Sequence, residues 1–458
     1  DVPAKVHYAK IDGPRITKLK KLDAISDFSR MKWKSCPKQW QAPFRPSLKG
    51  KYRTWSLLSD LLPWQHSGAQ FKRTWPIAPN TATLEARWRT LLNSEQQADY
   101  FRETRDRKIT SPCPYAPPNG RGDKPLADLP KDAPLPRIER YSYRSYDRQW
   151  ALADHRLGDF LRPALWSSFG RKQVYLTTAF TQALSQGPSV SAAAHVPDLH
   201  YFCGRGAKDI VPLYRDAEGK EANVLPGLLE LLAKTYGRKV TAEDFLAYVY
   251  GALAQPAFTE RFAEELGTRE LRVPLTKDAA LFAEVRDAGA KLLWLHTYGQ
   301  RFVPNGKRAG RVPRGEARCT KPVPGDEAGY PETFEYNDAA KILHVGAGRF
   351  GPVERDVYEF EVSGLKVVQS WLGYRMKRPK GKKSSPLDEI NPDRWPSEFT
   401  TELLELLWVL EETTAGYPAQ AALLDAVVKG ECFSSDELPA VPDFARKPPK
   451  QSPPGLFD

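Results

Sequence analysis

The stretch Tyr141-Ser-Tyr-Arg-Ser-Tyr-Asp-Arg-Gln-Trp150 constrains the fold of this chain more than any other. Aromatic and basic residues alternate along it, and a period of two belongs to a strand with side chains on opposite faces. Read as one strand, it sets Tyr141 and Tyr143 on one face and Arg144, Tyr146, Arg148 and Trp150 on the other. Rings interleaved with guanidinium groups can pack a core edge and still offer flat cations to phosphates or base edges. The plainer reading is an amphipathic strand whose arginines pair with carboxylates, and Asp147 is placed to tie up Arg144 or Arg148. The stretch also closes the basic part of the chain. Residues 1–150 hold 29 Lys and Arg against 15 Asp and Glu, a balance of +14. The remaining 308 residues hold 39 against 41, or −2.

A length of 458 residues exceeds one typical core of ~100–200 residues and predicts two or three domains. Forty prolines point to loops and strand edges rather than a helical bundle. A net charge of +12 suggests an acidic polymer as partner, nucleic acid first. No apolar run approaches the ~18–20 residues that span a bilayer, and there is no basic-then-apolar leader, so a cytoplasmic location with no membrane partner is expected. Five widely spaced cysteines suit reduced thiols better than a disulfide framework.

Short strands and helices alternate irregularly, which predicts a mixed α/β (α+β) fold: short mixed strands with surrounding helices. Residues 1–30 read as a strand, a Gly-Pro turn and a lysine-rich helix. Residues 31–109 are basic and rich in tryptophan, with a helix from Thr83 to about Arg107. Residues 110–137 carry clustered Pro, Gly and Asp without periodicity and are expected to be a linker. A main domain is expected over 138–438. It has strands near 173–178, 195–213, 333–336, 341–345 and 357–362, and helices at 225–236, 242–253, 257–265 and 279–298. A helix at 398–411 and a shorter one at 419–428 close it, and residues 439–458 read as a frayed tail.

Most catalytic signatures are missing. An exocyclic-amine methyltransferase needs an Asn/Asp/Ser-Pro-Pro-aromatic loop, and Ala116-Pro-Pro-Asn119, Lys447-Pro-Pro-Lys450 and Ser452-Pro-Pro-Gly455 all lack the ring. Gly346-Ala-Gly-Arg-Phe-Gly351 reads as a turn, not a methyl-donor loop, and no phosphate-cradling Gly-x-x-x-x-Gly-Lys-Ser/Thr occurs. Asp198, Glu218 and Lys220 have the bare spacing of a metal-dependent nuclease, which is the alternative reading, although Glu218 and Lys220 fall in a charged turn. His195, His200 and Cys203 lack a fourth ligand at zinc-like spacing, so packing or hydrogen bonding is the expected role. The tryptophans of residues 33–75 offer a third reading, a platform that docks another subunit.

Cations remain. Lys307, Arg308, Arg311, Arg314, Arg318 and Lys321 share a loop whose only carboxylate is Glu316, and Arg375, Lys377, Arg378, Lys380, Lys382 and Lys383 form a run with none. Basic loops can follow a phosphate backbone, while base reading asks for Arg on firmer supports. The expected DNA contacts are therefore Lys72, Arg73, Arg144, Arg148, Arg171, Lys172, Arg205, Lys208, Arg311, Arg314, Arg375 and Lys377.

Several blocks together resemble one family. Trp64-Gln-His-Ser-Gly-Ala-Gln-Phe-Lys-Arg-Thr-Trp-Pro-Ile77, Tyr143-Arg-Ser-Tyr-Asp-Arg148, Val196-Pro-Asp-Leu-His200, Lys208-Asp-Ile-Val-Pro-Leu-Tyr214, Leu293-Trp-Leu-His-Thr-Tyr-Gly299 and Phe360-Glu-Val-Ser-Gly-Leu-Lys-Val367 are similar to the carboxy-terminal specificity region of Type ISP restriction-modification enzymes and the segment leading into it. The resemblance implies a target-recognition region for duplex DNA. It also implies an adenine-N6 methyltransferase upstream in the same protein, using S-adenosylmethionine, with no cofactor expected in this chain. Residues 1–30 would then be the closing strand and helix of the methyltransferase fold, or the passage out of it.

Overall fold

The chain was analysed as a computed structural model that describes residues 2, 4–11, 15–38, 44–46, 50–112, 124–178, 187–202, 209–381 and 383–449. Its contacts divide it into two units, Asp1–Trp55 and Ser56–Asp458. The division therefore falls at residue 55, and the segment 56–109 shares a unit with the residues that follow it.

In the first unit, His7–Tyr8 pairs antiparallel with Lys34–Ser35, and one helix covers Arg15–Asp23. That helix leaves Ile16, Leu19 and Leu22 exposed.

Among the described residues the second unit contains two three-stranded and one four-stranded antiparallel sheet, besides two two-stranded ones, with helices around them, the mixed architecture expected from the sequence. The stretch Tyr141–Trp150 lies in a hairpin, not in one strand. Ile138–Arg144 turns at Ser145 and Tyr146 and returns as Asp147–Leu152, with Ile77–Ala78 added outside the second strand. Tyr146 takes a left-handed φ of 61°. A bulky residue rarely adopts that conformation without outside support. Here the Tyr298 hydroxyl donates to the Tyr146 carbonyl at 2.7 Å and the Ser145 amide donates to Tyr201 O at 2.9 Å. No Gly, Asn or Pro marks the turn, so local sequence could not reveal it.

A second sheet orders Val190–Ala193, Tyr175–Thr178 and Asp209–Pro212. The third has four strands, in the order Arg318–Lys321, Gly348–Gly351, Ile342–Val345 and Phe334–Asn337. The expected Gly346–Gly351 turn is thus partly a strand, and the expected loop 303–324 ends in one. Beyond it, the expected strand over 357–362 is a helix over Arg355–Tyr358 followed by Glu361–Val362.

Two helices cross backbone to backbone at the core. Helix Ala242–Leu253, opened by a Thr241/Asp244 capping box, meets helix Ala279–His296 where a Cβ on Gly289 would lie 1.8 Å from the Ala247 carbonyl. Only glycine permits that approach. The expected helix from Thr83 to Arg107 is two pieces, Thr81–Asn93 and Gln97–Phe101. Conversely, the two expected carboxy-terminal helices are one of 33 residues, Ser397–Lys429, running through Pro418. Proline ordinarily breaks a helix, but burial of Thr413, Gln420, Leu424 and Val427 on either side holds this one together.

Candidate nucleic-acid interface

The twelve expected contacts separate by burial. Arg73 is 2% exposed and Arg375 is 0% exposed, so neither can reach a ligand in this fold. Arg73 pairs with Asp159 at 2.6 Å, stacks 4.1 Å from the Phe101 ring and donates to the Phe101 and Arg107 carbonyls. Burial lowers its pKa, against the pull of Asp159. Arg375 sits 3.8 Å over the Trp371 ring, 2.9 Å from Asp147 and 3.4 Å from Glu402. Asp147 therefore pairs with neither Arg144 nor Arg148, but with an arginine 228 residues away.

The hairpin arginines are committed as well. Arg144 packs 3.8 Å from the Tyr143 ring and pairs with Asp198 at 3.4 Å. Arg148 lies 3.5 Å over the Tyr298 ring and pairs with Glu405 at 2.9 Å, and neighbouring Arg140 binds Glu402 at 2.9 Å. The Arg140 and Arg148 pairs clamp the hairpin to the long helix, and breaking a buried pair from one side leaves an uncompensated charge. The aromatic–arginine alternation thus encodes internal packing, and Arg73, Arg144, Arg148 and Arg375 are structural residues here. Lys72 is tied to Asp106 at 2.6 Å and Asp159 at 3.1 Å. Arg205 and Lys208 lie outside the described residues, as does Cys203.

The other five behave differently. Arg171, Lys172, Arg311, Arg314 and Lys377 are exposed and make no ion pair with a described carboxylate. Arg311 and Arg314 belong to a loop that is pinned at both ends. At its start, Gly299 has φ 75°, and a Cβ there would lie 2.3 Å from the Arg311 carbonyl, while Gly310 N–H donates to Gly299 O at 2.8 Å. At its end, the Glu411 carboxylate accepts the amides of Glu316 and Ala317 at 2.6 and 3.0 Å, and Trp408 Nε1 donates to Ala317 O at 2.8 Å. Burial raises the Glu411 pKa despite those two amides. Glu411 and Trp408, which fix the loop, were not singled out in the sequence because nothing local marks them.

The second basic run is anchored through its own buried members. Tyr330 donates to Arg375 O at 3.1 Å, and Lys377 N–H donates to Pro331 O at 2.8 Å, next to the four-stranded sheet. Lys377, Arg378 and Lys380 remain exposed, whereas Lys383 is held by Glu389 at 2.6 Å. A Cβ on Gly346, in the turn between two strands of that sheet, would touch Pro331 at 3.2 Å. The run therefore adjoins the sheet's turn, and the pinned loop feeds its edge strand.

The nuclease trio is not assembled for chemistry. Asp198 is 4% exposed, accepts from the Tyr141 hydroxyl at 2.8 Å and from the His200 amide at 2.7 Å. Glu218 and Lys220 pair with each other on an exposed turn organised by Asp216. Among the described residues no group of three or more His, Cys, Asp or Glu is arranged to hold a metal. Of the tryptophans in residues 33–75, Trp55, Trp64 and Trp75 are at most 1% exposed and cannot dock a partner, whereas Trp33 is 44% exposed and Trp40 lies outside the described residues.

The family model for the Type ISP C-terminal specificity domain matches residues 60–406. The chain belongs to this family. Solved structures agree with the Type ISP assignment in fold. The chain is similar to the DrdV–DNA complex, with a TM-score of 0.58 at 15% identity over 92% of this chain and 43% of that one. It is also similar to a nuclease-deletion mutant of the Type ISP restriction-modification enzyme LlaGI in complex with a DNA substrate mimic, with a TM-score of 0.56 at 16% identity over 92% and 33%. The ATP-dependent Type ISP enzyme LlaBIII bound to DNA matches with a TM-score of 0.59 at 14% identity over 93% and 28%. This specificity chain thus spans less than half the length of each of these proteins. A search of curated proteins returns no match. Among the described residues no helix is long and apolar enough to cross a membrane.

Proposed function

We propose that this chain recognises duplex DNA and sets the target site for an adenine-N6 methyltransferase carried upstream in the same protein. S-adenosylmethionine would be bound in that upstream part, and the setting would be the cytoplasm. The observation that carries the reading is the pinned loop, whose exposed arginines lack carboxylate partners in a domain of the specificity family. An exposed cation fixed in place, with no internal counter-charge, is suited to a phosphate; each phosphate neutralised releases counterions and makes binding salt-dependent. The three similar structures are all DNA complexes by their descriptions, which supports the same partner here. Loop cations would position the duplex, and base edges would be read by side chains on firmer supports. The test is binding of the 458-residue chain to a labelled duplex across a salt series. Affinity that falls steeply and linearly in log–log form supports the reading, and no binding at low ionic strength overturns it.

A further inference from the structure

The four-stranded sheet carries a row of side chains that the basic-run reading did not include. Register places Lys321 opposite Arg349, Arg349 opposite His344, and His344 opposite Glu335, so these four lie side by side across all four strands. The neighbouring register row is Cys319, Phe350, Leu343 and Tyr336, with Phe350 and Leu343 0% exposed, so that row faces the core. Because side chains alternate across a strand, Arg349 and His344 face outward; a register shift between Cys319 and Lys321 interrupts the alternation on the edge strand, and Lys321 is exposed beside Arg349, with exposed Glu335 ending the row.

Two features separate this row from an ordinary solvated face. Lysine on an edge strand is a common guard against unwanted strand pairing, which accounts for Lys321 but not for Arg349. Arg349 lies in an inner strand, paired on both sides. Like charges directly opposite one another destabilise a sheet, yet Lys321 and Arg349 are cross-strand partners and neither pairs with a described carboxylate. Other cations near the same sheet are neutralised: Lys341 by Glu354 at 2.7 Å and Arg355 by Asp338 at 3.3 Å.

We propose that Lys321, Arg349 and His344 form a phosphate-contacting row on the outer face of this sheet, which docks one strand of the DNA backbone alongside the pinned loop. The inference rests on the DNA-recognition reading and assigns it a surface. Strands lie ~4.8 Å apart, so three neighbouring side chains span roughly 10 Å, and one DNA strand advances roughly 3.4 Å per phosphate along its axis. The row thus covers the rise of a few phosphates. Lys321 and Arg349 supply charge, and the His344 ring supplies an N–H donor. Contacts of this kind fix orientation without reading sequence.

The full chain, with Arg349→Ala, Arg349→Lys, Lys321→Ala and the control Lys341→Ala, would be titrated with a mixed-sequence duplex at several salt concentrations. Thermal unfolding of each variant would be followed in parallel. The expected result is a salt slope lower by about 1 for Arg349→Ala and for Lys321→Ala, preserved in Arg349→Lys and in Lys341→Ala, with folding intact. An unchanged slope in both alanine variants, while the wild type binds, overturns the row and leaves DNA recognition standing. An equal drop in Lys341→Ala also overturns it, because the effect would then be one of net charge. Failure of the wild type itself to bind defeats the underlying reading instead.

Discussion

The hairpin at 138–152 and the loop at 299–317 are both rich in arginine, and they use it in opposite ways. In the hairpin, each guanidinium lies against a ring and is tied to a carboxylate from a distant part of the chain. In the loop, the backbone is what is fixed, and the side chains of Arg311 and Arg314 are left outside. Arginine interleaved with aromatic residues is therefore a packing signal in this molecule. Arg311 and Arg314, in a stretch poor in both rings and acids, face outward, whereas Arg301 near the start of the same loop turns inward onto the Gly170, Gln173 and Ala194 carbonyls. The contrast also extends to the helix Ser397–Lys429, which meets the hairpin through Glu402 and Glu405 and the loop through Trp408 and Glu411.

The contrast can be broken most directly at Arg375. Arg375→Ala strands Asp147 beneath the hairpin, and a loss of about 3–5 kcal/mol is expected in denaturant unfolding. DNA salt dependence of whatever remains folded should not change. A lower salt slope with undiminished stability would mean that the buried arginines had been misassigned.

A pH series probes the same buried side. Burial pushes the His296 imidazole down to about 3, among Tyr146, Tyr250 and Thr413. The unfolded chain binds that proton more readily than the folded one, so stability is complete above the ordinary histidine value and falls as pH drops toward the folded value. Between about pH 6.5 and 4.5, this one group should remove ~2–3 kcal/mol. His296→Gln should flatten that slope, and an unchanged profile would show that the imidazole is not held neutral.

On the loop side the effects on folding are smaller and those on binding larger. Gly299→Ala forces a Cβ against the Arg311 carbonyl at positive φ and should cost about 1–3 kcal/mol, with weaker DNA binding as the loop shifts. The double change Arg311→Ala, Arg314→Ala should leave stability within about 0.5 kcal/mol and lower the salt slope by about 2. If that variant unfolds readily while binding DNA with the wild-type slope, the distinction between the two regions fails.

Much of the helical framework was legible in the sequence, because capping and apolar periodicity are local. Helix 242–253 follows from Thr241, Asp244 and the stripe behind them. What escaped was set by partners far along the chain. The turn at Tyr146 depends on Tyr298 and Tyr201, and the continuity of the last helix through Pro418 depends on burial on both flanks. The glycines of 346–351 suggested a turn, although Gly348–Gly351 lies between two other strands, and with it Arg349 was overlooked. The exposed members of the candidate interface were visible as acid-free runs. Their separation from the buried arginines was not, because charge composition carries no information about which side of the backbone faces the core.

The crossing at Gly251 and Gly289 has a bearing on how such a chain can change over time. There is no room for even one methyl group there, so helices 242–253 and 279–296 pack backbone against backbone. His296, at the end of one of them, reaches both the hairpin turn and the long helix. Sequence drift in that pair is tightly policed by its geometry, whereas the stretch from Lys307 to Arg314 touches it chiefly through its anchor points. The charge that this loop presents can therefore change by exchanging the residues between those anchors, with the scaffold beneath inherited unaltered.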